Sequence, residues 1–164
     1  MLEGEITPER LETWIRDIEE APRLLRVAVE GLSDEQLDTP YRDGGWTPRQ
    51  IVHHLCDSNI NSYVRFKLAV TEDEPTIKPW DQTRWAELID GRTAPVEVSL
   101  SLLEALHSRW VMFLHSLGES DFKKCFLHPD AGAVSVEENI WNYSWHCRHH
   151  TAQIVNLRER MGWF

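Results

Sequence analysis

Two histidines one helical turn apart, His146 and His150 in the segment WHCRHH, are the residues of this chain best placed to do chemistry. On a helix turning about 100° per residue, positions four apart lie about 40° from each other, so both imidazoles can face one ion. The segment WTPRQIVHHLCD offers a third ligand in His53 or His54. Three protein ligands leave a coordination position open for water or substrate, as a catalytic metal requires; structural zinc sites are usually closed by four ligands, often cysteines. Spacing alone does not choose between His53 and His54. The polar stripe favours His54, which continues through Asp57 or Ser58 to Asn61 and Arg65, while His53 shares a face with Gln50 and Asp57. A matching stripe of Asn142, His146, His150 and Gln153 lies near the end of the chain. Polar residues facing a bundle interior need partners, so the two stripes are expected to face each other.

The remaining candidates are weaker. Cys56 lies about 200° around its helix from His54 and Cys147 about 100° from His146, so neither thiol is expected to join the ion. His149 stands three residues from His146 and overlaps it less well in angle than His150 does. His107, His115 and His128 are read as packing residues rather than ligands. Asn61 and Arg65 are candidates to steady solvent at the metal or to bind a substrate carboxylate, with an exposed position as the equal alternative. Asp57 is a candidate to accept the second N–H of a ligand imidazole. Trp46, Trp80, Trp85, Trp141 and Trp145 are read chiefly as core or interface residues, with a pocket wall as the second choice. Lys78 and Arg84 are candidate anion contacts.

These side chains need long helices to hold them. Thr7-Pro8-Glu9 supplies a cap, a proline at the first helical position and an early acid, and apolar residues from Leu11 to Val29 recur at three- and four-residue steps before Gly31. Pro22 is an irregularity inside that helix. Ser33-Asp34-Glu35-Gln36 has capping-box spacing for a single turn ahead of a loop from Tyr41 to Gly45. Thr47-Pro48 opens a second long helix, uninterrupted from Arg49 to Val70. Residues 71–96 hold Pro75, Pro79, Gly91 and Pro95, so a long connection is expected there, with a short helix within Trp80 to Leu88. A third helix reads from Val98 to Leu117. After a connection containing Pro129 and Gly132, the capping box Ser135 to Glu138 opens a fourth that ends near Met161 and Gly162. No strand-like alternation stands out. The expected architecture is all-α, one four-helix bundle domain over residues 1–164.

Composition narrows the function classes. With 164 residues, 41% of them apolar, the chain can bury a sizeable core. A formal charge of −10 argues against nucleic acid as a partner, because that binding draws on clustered Lys and Arg. No apolar run approaches the ~20 residues of a membrane span, and the first residues lack the pattern of a signal peptide, so a cytoplasmic protein with no membrane partner is expected. Three cysteines at unrelated spacings are expected to be free thiols.

Three stretches carry a family likeness: GGWTPRQIVHHLCDSNINSYVRFKLAVTEDEPTIKPW, RWAEL and the terminal WHCRHHTAQI. In them the chain resembles the DinB-like superfamily of four-helix metal proteins, and within it the YfiT-like group that carries the label of metal-dependent hydrolases. The resemblance covers nearly the whole chain. It implies one histidine on the second helix and an H-x-x-x-H pair on the fourth, here His54, His146 and His150. It also implies long crossover connections and a homodimer. One divalent ion per chain is expected, zinc first and nickel next, since imidazole suits several metals. Ligand deprotonation should make affinity fall below about pH 6. Hydrolysis of a small molecule is the leading expectation. Relatives that resemble bacillithiol-type S-transferases give the alternative, in which a low-molecular-weight thiol occupies the open position and Arg65, Lys78 and Arg84 hold it. A non-catalytic metal-binding module is the third.

Overall fold

The computed structural model describes residues 4–164. Helix α1 (Pro8–Val29) starts where the Thr7 hydroxyl accepts the Arg10 N–H, and it runs through Pro22 without a break. A single turn, α2 (Asp34–Leu37), carries the Ser33/Gln36 capping box. Helix α3 (Pro48–Thr71) opens on a second capping box, Thr47 with Gln50. The long connection folds as α4 (Gln82–Ala86) and α5 (Ile89–Thr93). Helix α6 (Val96–His115) begins directly after Pro95, two residues earlier than the apolar pattern suggests. Then come α7 (Glu119–Phe122), β1 (Cys125–His128), β2 (Gly132–Ser135) and α8 (Val136–Met161), which Ser135 caps and Gly162 ends at φ 68°. Such left-handed backbone is cheap for glycine and costly for most other residues.

The four long helices form a bundle with crossed connections. Helix α1 packs on α6 and α8, and α3 packs on the same two. The α1-to-α3 and α6-to-α8 connections therefore both span diagonals. Arg26, late in α1, pairs with Glu97 at the start of α6, so these two helices run antiparallel. Asp17 meets Ser144, and Val27 and Ala28 meet Arg158, so α1 and α8 run parallel. Helices α3 and α8 are antiparallel, with Ser58 opposite Tyr143 and Ser62 opposite Asn139.

Two apolar clusters fill the interior. One gathers Trp14, Ile18, Phe66, Leu114 and Ile140 around Trp110; the other gathers Leu25, Ile51, Leu55, Leu103 and Ile154. Complete burial of one such side chain contributes about 1.5–3 kcal/mol.

The antiparallel hairpin of β1 and β2 departs from the strand-free expectation. Strands of four residues carry too little alternation to register as a pattern, and much of what holds β1 is remote in sequence. The Ile77 N–H donates to the Leu127 carbonyl and the Leu127 N–H to that of Pro75, which ties the hairpin to the long connection. No described helix is long and apolar enough to cross a membrane.

Candidate metal centre

The capping boxes that start α3 and α8 fix the phase of each helix, and polar contacts fix how one slides on the other. Tyr143 donates to the Ser58 carbonyl at 3.1 Å, Asn139 to Ser62 Oγ at 3.2 Å, and the Cys147 thiol to Asn59 Oδ1 at 3.5 Å. That register sets the buried His54 of α3 against His146 and His150 of α8. The ring centroid of His54 lies 5.3 Å from that of His146 and 4.8 Å from that of His150, and the latter two are 4.6 Å apart. One ring nitrogen from each lies within 4.8 Å of the others.

The spacing suits an ion. Nε2 of His54 and Nε2 of His146 are 3.3 Å apart. In a tetrahedral site with metal–nitrogen bonds of about 2.0–2.1 Å, the nitrogen-to-nitrogen edge is about 3.3–3.4 Å. Burial lowers the pKa of His54 to about 3, with His150 adding to the effect; it lowers that of His150 to about 4 and that of His146 well below the ordinary range. All three imidazoles are therefore neutral near pH 7 and present lone pairs rather than charges.

Gln153 sets one tautomer. Its Oε1 accepts from His150 Nδ1–H at 2.8 Å, leaving Nε2 unprotonated, while its amide N–H donates to His149 Nε2 at 3.2 Å. Outer contacts of this kind orient ligand rings. The i, i+3 spacing of His150 and Gln153 is the signal of this contact in the sequence, and the polar stripe alone does not single it out. Asp57 does not play that part for His54, whose Nδ1, like that of His146, has no hydrogen-bond partner among the described residues. Burial, with Asp90 nearby, instead raises the Asp57 carboxyl to about 6.

Two tryptophans flank the cluster. Trp46 lies 4.5 Å from His54 and 6.0 Å from His150 between ring centroids, and Trp80 stacks on His54 at 5.9 Å. Trp85 packs on Trp80, Trp141 joins the core, and Trp145 stacks on His149. The pocket wall, the second choice for these residues, applies to Trp46, which lines a cavity beside His150, and to Trp141, which lines one beside Arg65.

His53 faces away from the cluster. Its Nε2–H donates to the Ala94 carbonyl at 3.0 Å and its Nδ1 accepts from the Ser99 hydroxyl at 2.7 Å, so its two ring nitrogens hold the end of α5 and the first turn of α6. Burial pushes the thiols of Cys56 and Cys147 up to about 11 and about 12, which keeps both protonated. Asn61 and Arg65 stand two and three turns along α3 from His54, about 10 and 16 Å of helix axis. The Asn61 amide donates to the Asp57 carbonyl at 2.8 Å. Arg65 lines a separate cavity of about 690 Å³ with His128, Glu138 and Asn142. Lys78 and Arg84 are exposed on the long connection, beside Trp80 and Trp85 in sequence.

Known proteins are similar to this chain. A Bacillus cereus protein named "Putative metal-dependent hydrolase" is 54% identical over 158 residues, 96% of this chain and 91% of the relative. A Bacillus mycoides protein of the same name is 53% identical over 160 residues, 98% and 92% of the two chains. The solved structure of YfiT from Bacillus subtilis, described as a probable metal-dependent hydrolase with an unusual four-helix bundle topology, superposes with a TM-score of 0.97 at 48% identity, covering 100% of this chain and 94% of that one. TT2238, a four-helix bundle protein, matches at a TM-score of 0.59 and 16% identity over 87% and 95% of the chains, and shares the fold. The DinB superfamily profile matches residues 17–154, and with three neutral imidazoles converging across its diagonal bundle, this chain belongs to the DinB superfamily.

Proposed function

We propose that His54, His146 and His150 hold one divalent ion, zinc by its tetrahedral fit, and that the protein is a metal-dependent hydrolase of small molecules. The observation that carries this is the 3.3 Å separation of ring nitrogens on two neutral imidazoles, with a third imidazole against both. Such an ion supplies Lewis-acid chemistry: it polarises a carbonyl or phosphoryl oxygen and makes water nucleophilic near neutral pH. The chain's own residues do the rest. Gln153 keeps the His150 proton on Nδ1, and Trp46 and Trp80 shield His54 from water on the sides they cover. The names of the Bacillus relatives support the same reading. The test is elemental analysis of protein purified without chelator, followed by assay of an activated ester such as 4-nitrophenyl acetate. Metal-dependent cleavage that is lost in His146→Ala supports the proposal, and metal-free protein or metal-independent cleavage rejects it.

The cavity of about 690 Å³ beside Arg65 favours a second reading, thiol transfer. Its size lies in the range that accommodates a small organic cofactor, and Asn142 in its wall sits one turn before His146. The buried thiols of the chain stay protonated, so a thiolate at the ion would come from an added low-molecular-weight thiol. Lys78 and Arg84 would assist from the long connection. Conjugation of a chlorinated bimane only when bacillithiol is present would favour this reading over hydrolysis.

A further inference from the structure

A cavity of about 190 Å³ meets the histidine cluster at His150 and is lined by Tyr41, Arg42, Gly44, Gly45, Trp46, His150 and Gln153. It joins one imidazole of the cluster and that imidazole's anchor to the loop before α3. Arg42 is its only fully charged side chain. Asp43, its neighbour in sequence, does not line it. The Arg42 guanidinium has no carboxylate partner among the described residues and lies over the Tyr41 ring, 5.1 Å from its centroid. In a chain of formal charge −10, this is a local reversal of sign next to the cluster.

The loop is built to hold that position. The Tyr41 N–H donates to the Trp46 carbonyl at 3.0 Å and the Gly45 N–H to the Arg42 carbonyl at 2.9 Å, while Arg160 of α8 donates to the Tyr41 carbonyl. A Cβ at Gly45 would fall 2.7 Å from both Arg42 Cγ and the Tyr41 ring, so only glycine lets these two side chains sit against the backbone. The exposed guanidinium, seated on the Tyr41 ring, keeps its donor fork free for an oxyanion.

We infer that Arg42 determines substrate specificity: it binds a single carboxylate on a small substrate whose reacting group lies at the histidine cluster. One guanidinium and no lysine in the wall match one negative charge rather than a phosphate dianion. The volume, below the roughly 300–1,000 Å³ of pockets for drug-sized ligands, suits a substrate with a few carbons beyond the reacting group. The assignment rests on the proposed metal-dependent hydrolysis for its reaction but not for its binding.

Two experiments on the zinc-loaded protein separate those parts. In calorimetric titration with glutarate, Arg42→Gln weakens binding about ten-fold or more, while Arg109→Gln, on an exposed face of α6, binds as the natural protein does. Equal affinity in the natural protein and Arg42→Gln, or no glutarate binding by the natural protein, overturns the inference. In the kinetic arm, Arg42→Gln lowers kcat/KM for mono-4-nitrophenyl glutarate at least ten-fold more than for the uncharged 4-nitrophenyl pentanoate. Equal losses on the two esters overturn it. If neither ester is cleaved but glutarate binding depends on Arg42, the carboxylate site stands and hydrolysis falls.

Discussion

Pro22 and His107 are complementary halves of one hydrogen bond. Proline has no N–H, so the carbonyl of Ile18, four residues earlier in α1, loses its helical donor. His107 of α6 supplies the replacement, its Nδ1–H donating to the Ile18 carbonyl at 2.6 Å. The imidazole is buried, and its Nε2 has no partner among the described residues.

His107→Leu is expected to destabilise the fold by about 1–3 kcal/mol, because it leaves the Ile18 carbonyl buried and unpaired. Alanine at position 22 restores a backbone donor, so His107→Leu should cost less in the Pro22→Ala background. A double-mutant cycle in urea measures that coupling, expected at about 1–2 kcal/mol. Additive losses would show that the two residues do not share the carbonyl.

Burial lowers the His107 pKa from 6.5 to about 4, so the folded state disfavours the charged imidazole. Its contribution is fully present above pH 6.5 and is lost as the pH falls towards 4, about 3 kcal/mol in all. His54 and His150 act with the same sign in metal-free protein. Urea unfolding at pH 7 and pH 4.5 should show a smaller difference for His107→Gln than for the natural chain.

Elemental analysis should find about one divalent ion per chain, lost in His54→Ala, His146→Ala and His150→Ala. His53→Ala should keep the metal but unfold at lower urea, since its ring docks α6 through Ala94 and Ser99. Gln153→Ala should retain the site with affinity reduced about 10–100-fold in chelator competition. Because burial keeps the ligand imidazoles neutral well below pH 6.5, metal retention is expected to extend below pH 6 and to fail towards pH 4.

Gly45→Ala is expected to weaken glutarate binding about as much as Arg42→Gln does, while metal content stays unchanged. The nearest atoms that the added Cβ meets belong to Arg42 and Tyr41, which must move. Unaltered glutarate affinity would show that the loop tolerates the shift.

Local chemistry was legible in the sequence because it acts over a few residues. The capping boxes at Ser33 and Ser135 and the cap-then-proline pair Thr47-Pro48 mark the starts of helices α2, α8 and α3 as the structure shows them, and Gly162 marks an end. The i, i+4 pair His146 and His150, with the polar stripes around it, marked one face of α8 as suited to a metal, and with His54 it forms the three-histidine cluster. What lay beyond the sequence depends on contacts remote along the chain. His53 and His54 are neighbours of identical chemistry; the polar stripe favours His54 as the ligand, while the role of His53 follows from the packing that gives its ring to Ala94 and Ser99. The hairpin's four-residue strands carry too little alternation to register, and part of what holds β1 comes from the long connection. Periodicity reports which face of a helix is buried; which helix covers that face is decided by the diagonal connections, and tertiary packing sets them.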